Sequence, residues 1–460
     1  MNSIAEFLIK TGQIYEGFYG PEGEHTVATS SGPAETRGIL NLVGMEAAET
    51  QSGESALETA PVRQLGHTFR ALRHRNFRLF LSGQIVSLVG TWMQNVAQSW
   101  LVYRMTHSEL LLGTAWFCSQ IAVFALGPLG GLAADRFSRH KLVVVTQTLS
   151  MLQALAIAIL TLSGKVAVWH ILALACVLGV INAFDMPGRQ ALVVHMTSPE
   201  DLINAISLNS AVFNAARVVG PAVAGLVVAA VGEGTCFLLN AVSFLAVIAC
   251  LLAMRLPPFE SAAPDSPWRH LLEGFGYTWS HKVVRRTLAI MGAATLSGMP
   301  VLVLAPVFAD SIFHRGSRGL GFLMGAMGVG AVTGTLVLAR RTKVSGLTRV
   351  IAYSGMVTGA MFIVFGVSRS YWLSLAIMPV IGFCVMRQMA SANTTIQTSI
   401  PDEYRGRVMA FYAMTVVGLG PFGSLASGAL AGRLGARATV VGGGVLAILA
   451  CLVYARQDGG

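Results

Sequence analysis

Long apolar runs decide what this chain can fold into. From Phe69 onward the sequence holds twelve of them, most close to 20 residues or longer, separated by short polar loops. They cover residues 79–101, 110–134, 142–163, 167–185, 203–231, 235–254, 288–309, 319–339, 350–367, 371–392, 408–431 and 438–454. A helix needs about 20 apolar residues to cross a hydrocarbon layer of about 30 Å, and the long runs lack the period-2 alternation of a membrane β-barrel. The sequence therefore predicts an all-α polytopic membrane protein with twelve transmembrane helices.

The runs fall into two sets of six, on either side of a proline-containing polar segment. We predict an N-terminal six-helix bundle over residues 67–256, a cytoplasmic linker over 257–286 and a C-terminal six-helix bundle over 287–460. Residues 1–66 differ in kind, because they hold nine glutamates and no sustained apolar period. Such a composition predicts a disordered acidic extension. It is either a regulatory tail or sequence upstream of the true start, and we favour the second.

The two halves repeat each other. Pro-Glu-Asp at 199–201 precedes the fifth run and Pro-Asp-Glu at 401–403 precedes the eleventh, and each of these two runs contains a Gly-Pro pair. Parallel repeats of this kind relate the halves of many transporters by an axis along the membrane normal. We therefore predict two pseudo-symmetric bundles with hinge points in the fifth and eleventh helices. The predicted hinge residues are Gly220, Pro221, Gly225, Gly420 and Pro421.

Basic residues fix the predicted orientation. The net charge of +10 comes mostly from loops, where 21 Lys and Arg lie on one side and seven on the other if alternate loops are counted. Cytoplasmic loops carry the excess of Lys and Arg. We therefore place both termini in the cytoplasm of a multi-pass cell (inner) membrane protein. The lipid bilayer thus accounts for the positive charge, and no nucleic acid partner is expected.

Catalytic and metal-binding patterns are absent from the sequence. The six cysteines occur singly within apolar runs, with no CxxC pair and no histidine at metal spacing, so we interpret them as packing residues. No glycine-rich phosphate loop, catalytic triad or HExxH set is present. The sequence predicts neither an enzyme nor a protein with a metal or cofactor.

Polar stripes on three helices indicate a substrate cavity. Residues at spacings of three and four share one face of a helix, and a polar face is costly in lipid, so it should meet water or another helix. The predicted cavity residues are Gln84, Ser87, Thr91, Gln94, Asn95, Gln98, Ser210, Asn214, Arg217, Arg387, Ser391 and Thr394. The alternative is hydrogen bonding between helices without any substrate. Three stripes in one bundle favour the cavity.

Two arginines lie within apolar runs. Arg217 lies fourteen positions after Ile203, about 21 Å along the helix at 1.5 Å per residue, so its guanidinium cannot easily reach the membrane surface. Arg387 lies closer to the cytoplasm. Intramembrane arginines are functional candidates, although bonds to backbone carbonyls give a structural alternative. The central positive charge favours an anionic or zwitterionic substrate.

Acidic partners within the runs are few. Asp185 and Asp310 are the two candidates for proton coupling, and an ion pair between Asp185 and Arg189 is the structural alternative for the first. No carboxylate lies in the first helix.

A polar loop between the second and third runs is the most specific motif. Its sequence, GGLAADRFSRHK over residues 130–141, resembles the loop between helices 2 and 3 of the major facilitator superfamily, with Ser138 where that family usually has a second glycine. The resemblance implies a role in conformational gating for Gly131, Asp135, Arg136, Arg139 and Lys141. We expect Asp135 to meet the start of the eleventh helix near Arg405 and Arg407, because a carboxylate is stabilised at a helix N-terminus.

Motifs in helices 4 and 5 resemble the bacterial branch of this superfamily that contains the enterobactin exporter. They are the segment from Asn182 to Gln190 and Gly220-Pro221 with Gly225, although Ala216 and Ala224 stand where exporters often have glycine. The resemblance covers residues 69–454 and implies export of a small amphiphilic or anionic molecule, of siderophore or drug type, driven by protons without ATP. We expect a monomer.

Two alternatives stay open at this point. The cargo could be a lysophospholipid or another amphiphile flipped between leaflets, which a side opening lined by Gly and Met would favour. The chain could also be a membrane sensor that transports nothing, with the acidic extension as its output arm, although two complete halves with polar stripes argue against this.

Overall fold

The computed structural model describes residues 69–256, 276–339 and 346–458, and within these ranges it is all helix and loop, with no strand. A short 3-10 turn, Arg70–Arg73, precedes twelve long helices. The first six are α1 (Arg75–Thr106), α2 (Glu109–Arg136), α3 (Arg139–Leu162), α4 (Val168–Val194), α5 (Leu202–Val231) and α6 (Glu233–Leu252). The others are α7 (Lys282–Val303), α8 (Gly316–Ala339), α9 (Leu347–Val367), α10 (Tyr371–Thr398), α11 (Asp402–Leu434, in two segments) and α12 (Ala436–Asp458). The predicted N-terminal extension, residues 257–275 of the linker and the loop 340–345 lie outside the described residues.

Eleven of these helices in the described ranges are long and apolar enough to cross a membrane. The remaining one, α1, has 32 residues, which at 1.5 Å per residue is about 48 Å. This helix is long enough to cross a membrane. It is less apolar than the other eleven because it carries the polar stripe that the sequence predicts for the first helix. The predicted all-α polytopic membrane protein is confirmed.

Helix packing repeats between the two halves. In the first half α1 packs on α5 and α6, α2 on α4, and α3 on α4 and α6. In the second half the same pairs recur with each number raised by six: α7 with α11 and α12, α8 with α10, and α9 with α10 and α12. The fold is therefore two pseudo-symmetric six-helix bundles, as the internal repeats predict.

Two of the helices have a break that the sequence does not reveal. A π-helical turn, Met414–Gly418, separates the segments Asp402–Ala413 and Gly420–Leu434 of α11. Another π turn, Phe308–Ile312, follows α7 at its far end. A π turn inserts a residue and often marks a functional site in a helix. Gly420 and Pro421 lie directly after the break in α11, at a predicted hinge.

The bundles meet along two helix pairs, α5 with α8 and α2 with α11. We call the face at which α1 begins the termini face and the opposite one the far face. Near the far face the helices of each pair are in contact through glycines, and the space between them would not hold a side chain. A Cβ atom added to Gly225 would lie 2.9 Å from the Gly321 Cα, and one added to Gly113 would lie 3.1 Å from the Gly428 Cα. Small residues allow this close approach of helices in membranes.

The termini face is open by comparison. A Cβ on Gly131 of α2 or on Gly406 of α11 would meet nothing within 4 Å. Asp135, at the end of α2, is exposed, as is Phe137 at 63%. The two bundles are thus closed against each other near the far face and separated near the termini face.

Candidate functional site

A cavity of about 320 Å³ is lined mainly by helices of the second bundle, and α1 and α5 of the first bundle contribute Trp92, Phe213 and Arg217 to its wall. Most of its wall is apolar. Five methionines contribute, together with aromatic rings and a few polar groups. The residues that matter here are Trp92, Phe213, Arg217, Met291, Thr295, Ser297, Met299, Met327, Thr358, Phe362, Met386, Gln388, Met389 and Cys451. Flexible methionines let such a wall adapt to ligands of different shape.

Arg217 brings the charge to this cavity. Its Cζ lies 5.7 Å from the centre of the Trp92 ring, and its Nη1 lies 4.0 Å from the Met386 Sδ. Trp92 in turn meets Phe213 edge-on, with ring centres 5.8 Å apart. Among the described residues no carboxylate lies within 4.0 Å of the guanidinium. The guanidinium has a ring face and a thioether for neighbours, and no anion.

The backbone at Arg217 is also unusual. Pro221 has no N–H, so the helical hydrogen bond to the Arg217 carbonyl is missing. That carbonyl lies 3.0 Å from where a Cβ on Gly328 of α8 would be. Gly220, next to the proline, lies in close contact with α1. A Cβ atom added to this glycine would lie 3.0 Å from the Val89 carbonyl oxygen. The sequence-predicted hinge in α5 therefore lies where α5 meets both α1 and the other bundle.

Most of the polar stripe of α1 faces the interior of its own bundle. Gln94 donates to the Gln153 Oε1 at 3.0 Å and accepts from the Asn240 Nδ2 at 2.7 Å, which ties α1 to α3 and α6. Thr91 donates to the Ser87 carbonyl at 2.9 Å. Gln84, Ser87 and Gln98 are buried and Asn95 is exposed. None of these residues lines the central cavity.

The other predicted cavity residues are dispersed. Asn214 donates to the Ser210 carbonyl at 2.9 Å, and neither residue lines the cavity. On α10 the Arg387 guanidinium lies 5.8 Å from the centre of the Phe383 ring, while the residues on either side of Arg387 reach the cavity.

Ser391 and Thr394 lie further along α10. Ser391 is fully buried, and its hydroxyl has no hydrogen-bond partner in the described part of the chain, while its carbonyl accepts from the Thr395 hydroxyl at 2.8 Å. Thr394 donates to the Ala390 carbonyl at 3.1 Å. Of the twelve predicted residues, Arg217 alone is part of the cavity wall.

Asp185 is the centre of a buried polar network. Its carboxylate is 2.6 Å from the Arg189 Nε and accepts from the Thr146 hydroxyl at 2.7 Å and from the Gln147 amide at 2.8 Å. Arg189 also donates to the Gln84 Oε1 at 3.1 Å. The ion pair considered as an alternative from the sequence is present, and it links α1, α3 and α4.

Asp310 lies on the π turn that follows α7, and its carbonyl accepts from the His314 N–H at 3.0 Å. It is half-buried near Tyr103, whose hydroxyl is hydrogen-bonded to Ser311. This position is near the far face, away from the Asp185 network.

The signature loop is exposed in this conformation. Asp135, Arg136 and Lys141 face the surroundings, and Arg139 donates to the Ala134 carbonyl at 3.3 Å. On α11, Arg407 lies over the Tyr404 ring at 5.6 Å. No hydrogen bond or ion pair joins Asp135 to the described part of α11, because the bundles are separated at this face.

The sequence reading missed a cluster at the termini face. The Asp201 carboxylate, 1% exposed, lies 2.9 Å from the Arg70 Nε and 2.7 Å from both the Arg73 Nη2 and the His74 Nε2. It holds the 3-10 turn before α1 against the start of α5. In the sequence, the Pro-Glu-Asp triplet before the fifth run is the signal that marks this cluster.

Two six-helix bundles of the same topology, joined along α5–α8 and α2–α11 around a central cavity, define a transporter of the major facilitator type. The chain belongs to the transmembrane secretion effector family, whose model covers residues 66–458. It is therefore a multi-pass membrane transporter of small molecules and not an enzyme, and the superfamily predicted from the motifs is confirmed.

Proteins with similar sequences, and a solved structure with a similar fold, are consistent with membership of this family. The chain is 25% identical to a staphyloferrin A transporter of Staphylococcus aureus, over 76% of this chain and 87% of that protein. It is 26% identical to the multidrug efflux pump Tap of Mycolicibacterium fortuitum, over 78% of this chain and 90% of that protein. The fold is similar to that of a bacterial homologue of the iron transporter ferroportin, with a TM-score of 0.63 at 17% identity over 83% of this chain and 98% of that one.

Proposed function

We propose that this transporter exports a small amphiphilic molecule with an anionic group, of siderophore or drug type, in exchange for protons. The observation that carries the proposal is Arg217, a guanidinium without a carboxylate partner among the described residues, in a cavity lined by methionines and aromatic rings. The similarity to the multidrug efflux pump Tap and to a staphyloferrin A transporter supports the class of cargo.

The charge of the cargo follows from the cost of an unpaired arginine. A guanidinium in the membrane interior is tolerated when it meets carbonyls, a carboxylate or a ligand anion. A carboxylate or phosphate on the cargo can accept two parallel N–H bonds from it, and such charge-assisted pairs are stronger than neutral ones.

The apolar part of the cargo follows from the rest of the wall. Ligand pockets of roughly 300–1,000 Å³ hold drug-sized molecules, and the cavity of about 320 Å³ is at the small end of this range. Trp92 offers a ring face and the methionines offer adaptable contacts. A compact molecule with one aromatic or aliphatic body and one anionic group fits these features best.

Transport proceeds in this proposal by alternating access. The described state, closed near the far face and open near the termini face, loads cargo from the termini side. The excess of Lys and Arg in its loops predicts that this side is cytoplasmic, and the similarity to a multidrug efflux pump favours the outward direction. In the opposite state Asp135 would meet the start of α11, with Gly131 allowing the approach and Arg136, Arg139, Lys141, Arg405 and Arg407 holding the closed face.

Asp185 is our candidate for the proton site. It is 2% exposed and its network joins three helices of one bundle. Protonation would remove the charge that holds Arg189 and, through it, Gln84. Breaking one partner of a buried ion pair is strongly unfavourable, so proton binding here would favour a rearrangement. Asp310, near the far face, is the second candidate.

Efflux of three probes of one shape tests the proposal. We expect cells that express the chain to export anthracene-2-carboxylate faster than the neutral 2-anthracenemethanol, and faster still than the cationic 2-(aminomethyl)anthracene, because Arg217 attracts an anion and repels a cation. A proton ionophore should stop this export. The measurement is the loss of cellular fluorescence relative to cells without the transporter. If the cationic probe is the best cargo, the proposed charge preference is wrong.

Orientation is tested by cysteine labelling in intact cells. Lys165 is exposed in the far loop between α3 and α4, and Ser280 is exposed just before α7 on the termini side. We expect a membrane-impermeant maleimide to label Lys165→Cys and to leave Ser280→Cys unlabelled until the cells are opened. The unsubstituted chain controls for its six native cysteines. The reverse pattern would invert the proposed topology and the direction of loading.

A further inference from the structure

One polar side chain in the cavity wall has no hydrogen-bond partner. Gln388 of α10 lines the cavity, is 3% exposed, and its Nε2 makes no hydrogen bond among the described residues. The thiol of Cys451 lies beside the amide, since a Cβ built on Gly355 would meet both groups, and a thiol sulfur is a weak acceptor. The amide donor is therefore buried against the cavity with no acceptor stronger than this sulfur.

Several buried side-chain polar atoms in the described ranges lack a hydrogen-bond partner, but the Gln388 Nε2 is the one among them that lies in the cavity wall, and three other buried glutamines use their amide nitrogens. The Nε2 of Gln94 donates to Gln153, that of Gln147 donates to Asp185, and that of Gln153 donates to the Leu174 carbonyl at 3.2 Å. Buried polar groups in native proteins are satisfied in the great majority of cases, so an exception calls for an explanation. A ligand that fills the cavity would explain the exception at Gln388.

Gly355 of α9 makes room for the amide. A Cβ built on this glycine would lie 2.5 Å from the Gln388 Nε2 and would also collide with the Cys451 Sγ. Any larger residue at 355 would displace Gln388. The absence of a side chain at 355 therefore lets the amide lie at the cavity wall.

We propose that Gln388 is a second recognition point for the cargo, donating a hydrogen bond to an acceptor oxygen such as a carbonyl. This inference rests on the proposed function, in which Arg217 binds the anionic group of the same molecule. Arg217 belongs to the first bundle and Gln388 to the second. The proposal therefore narrows the cargo to compact anions that carry a second acceptor oxygen, separate from the anionic group. A single molecule of this kind would contact both bundles.

A matched pair of probes isolates this contact. Anthraquinone-2-carboxylate and anthracene-2-carboxylate have the same charge and nearly the same shape, and only the first carries ring carbonyls. We expect the purified full chain in lipid nanodiscs to bind the quinone roughly three- to tenfold more tightly, the range that one net hydrogen bond gives. Equilibrium dialysis of each probe measures the two Kd values.

Two variants connect the preference to Gln388. Gln388→Met keeps the length of the side chain and removes the donor, so the ratio of the two Kd values should fall to about one. Gly355→Ala displaces the amide without changing its chemistry and should lower the ratio as well, which keeps the test usable if the first variant does not fold. Gln397→Met is the matched control on the same helix, outside the cavity wall, and should keep the ratio of the unsubstituted chain.

The outcomes separate this inference from the proposed function. A ratio near one in the unsubstituted chain, or a ratio that persists in Gln388→Met, overturns the role of Gln388. If Arg217→Gln binds both probes as tightly as the unsubstituted chain does, the anionic site is wrong, while the ratio still reports on Gln388. If the unsubstituted chain binds neither probe, the cargo class fails and this inference fails with it.

Discussion

Arg217→Ala is expected to reduce export of anthracene-2-carboxylate to the background of cells without the transporter, at normal amounts of protein in the membrane. The substitution removes the cation that the proposal assigns to the anionic group. A hydrogen bond to a charged group contributes about 1.5–3 kcal/mol, which corresponds to a loss of roughly 10- to 150-fold in affinity. Insertion should be unaffected, because the variant removes a charge from an apolar run. Efflux normalised to membrane abundance is the measurement.

Arg217→Lys should give an intermediate result. The ammonium keeps the charge and loses the planar fork that binds a carboxylate through two parallel bonds. Arg433→Ala is the control, since Arg433 is exposed near the far end of α11, and it should export normally. Normal export of the cationic probe by Arg217→Ala, with that probe also the best cargo of the unsubstituted chain, would show that this residue has no role in recognition.

The second large effect is expected for Gly225→Leu. A Cβ at this position would lie 2.8 Å from the Ser317 carbonyl and 2.9 Å from the Gly321 Cα, and both contacts are with backbone that cannot move aside. A leucine would therefore push α5 away from α8 near the far face and disfavour the described state. We expect export to fall more than tenfold, since a population shift of a few kcal/mol is sufficient for this. An impermeant thiol reagent added at the far side should also reach Cys451 in the cavity faster.

Gly432→Leu provides the matched control. Gly432 lies in the same far third of the molecule, on α11, where a Cβ would meet nothing within 4 Å. This variant should export at the normal rate. Normal export by Gly225→Leu would mean that the glycine contact between α5 and α8 is not needed for the described state.

The helices could be predicted from the sequence because hydrocarbon imposes a length on each apolar run, and that constraint is local. The breaks in α7 and α11 could not, since a π turn depends on neighbouring helices. The polar stripe of α1 shows the same limit. Its period shows that Gln94 and its neighbours share a face, but Gln153 and Asn240, which that face meets, lie 59 and 146 residues away in the chain.

The candidate site divides in a similar way. Arg217 could be predicted from the sequence because a charged side chain in the middle of an apolar run must lie in the interior of the bundle or in a water-filled cavity. Gln388 was not, because the neighbouring Arg387 is the more conspicuous residue, whereas the cavity wall lies one position further around the helix. The role of Gly355 depends on α9 and α10 together, and no pattern within either helix reveals it.

The missing backbone hydrogen bond at Arg217 has a practical consequence for anyone who wishes to alter the cargo of this transporter. Pro221 weakens α5 at the same turn that carries the guanidinium, so a substitution of Pro221 would change the stiffness of the helix and the position of the guanidinium together, whereas a substitution of the Arg217 side chain leaves this backbone feature as it is. Met291 of the opposite wall lies on α7 of the second bundle, and no proline follows it within one turn of that helix. Redesign of cargo range is therefore better started at Met291, with Pro221 left as it is.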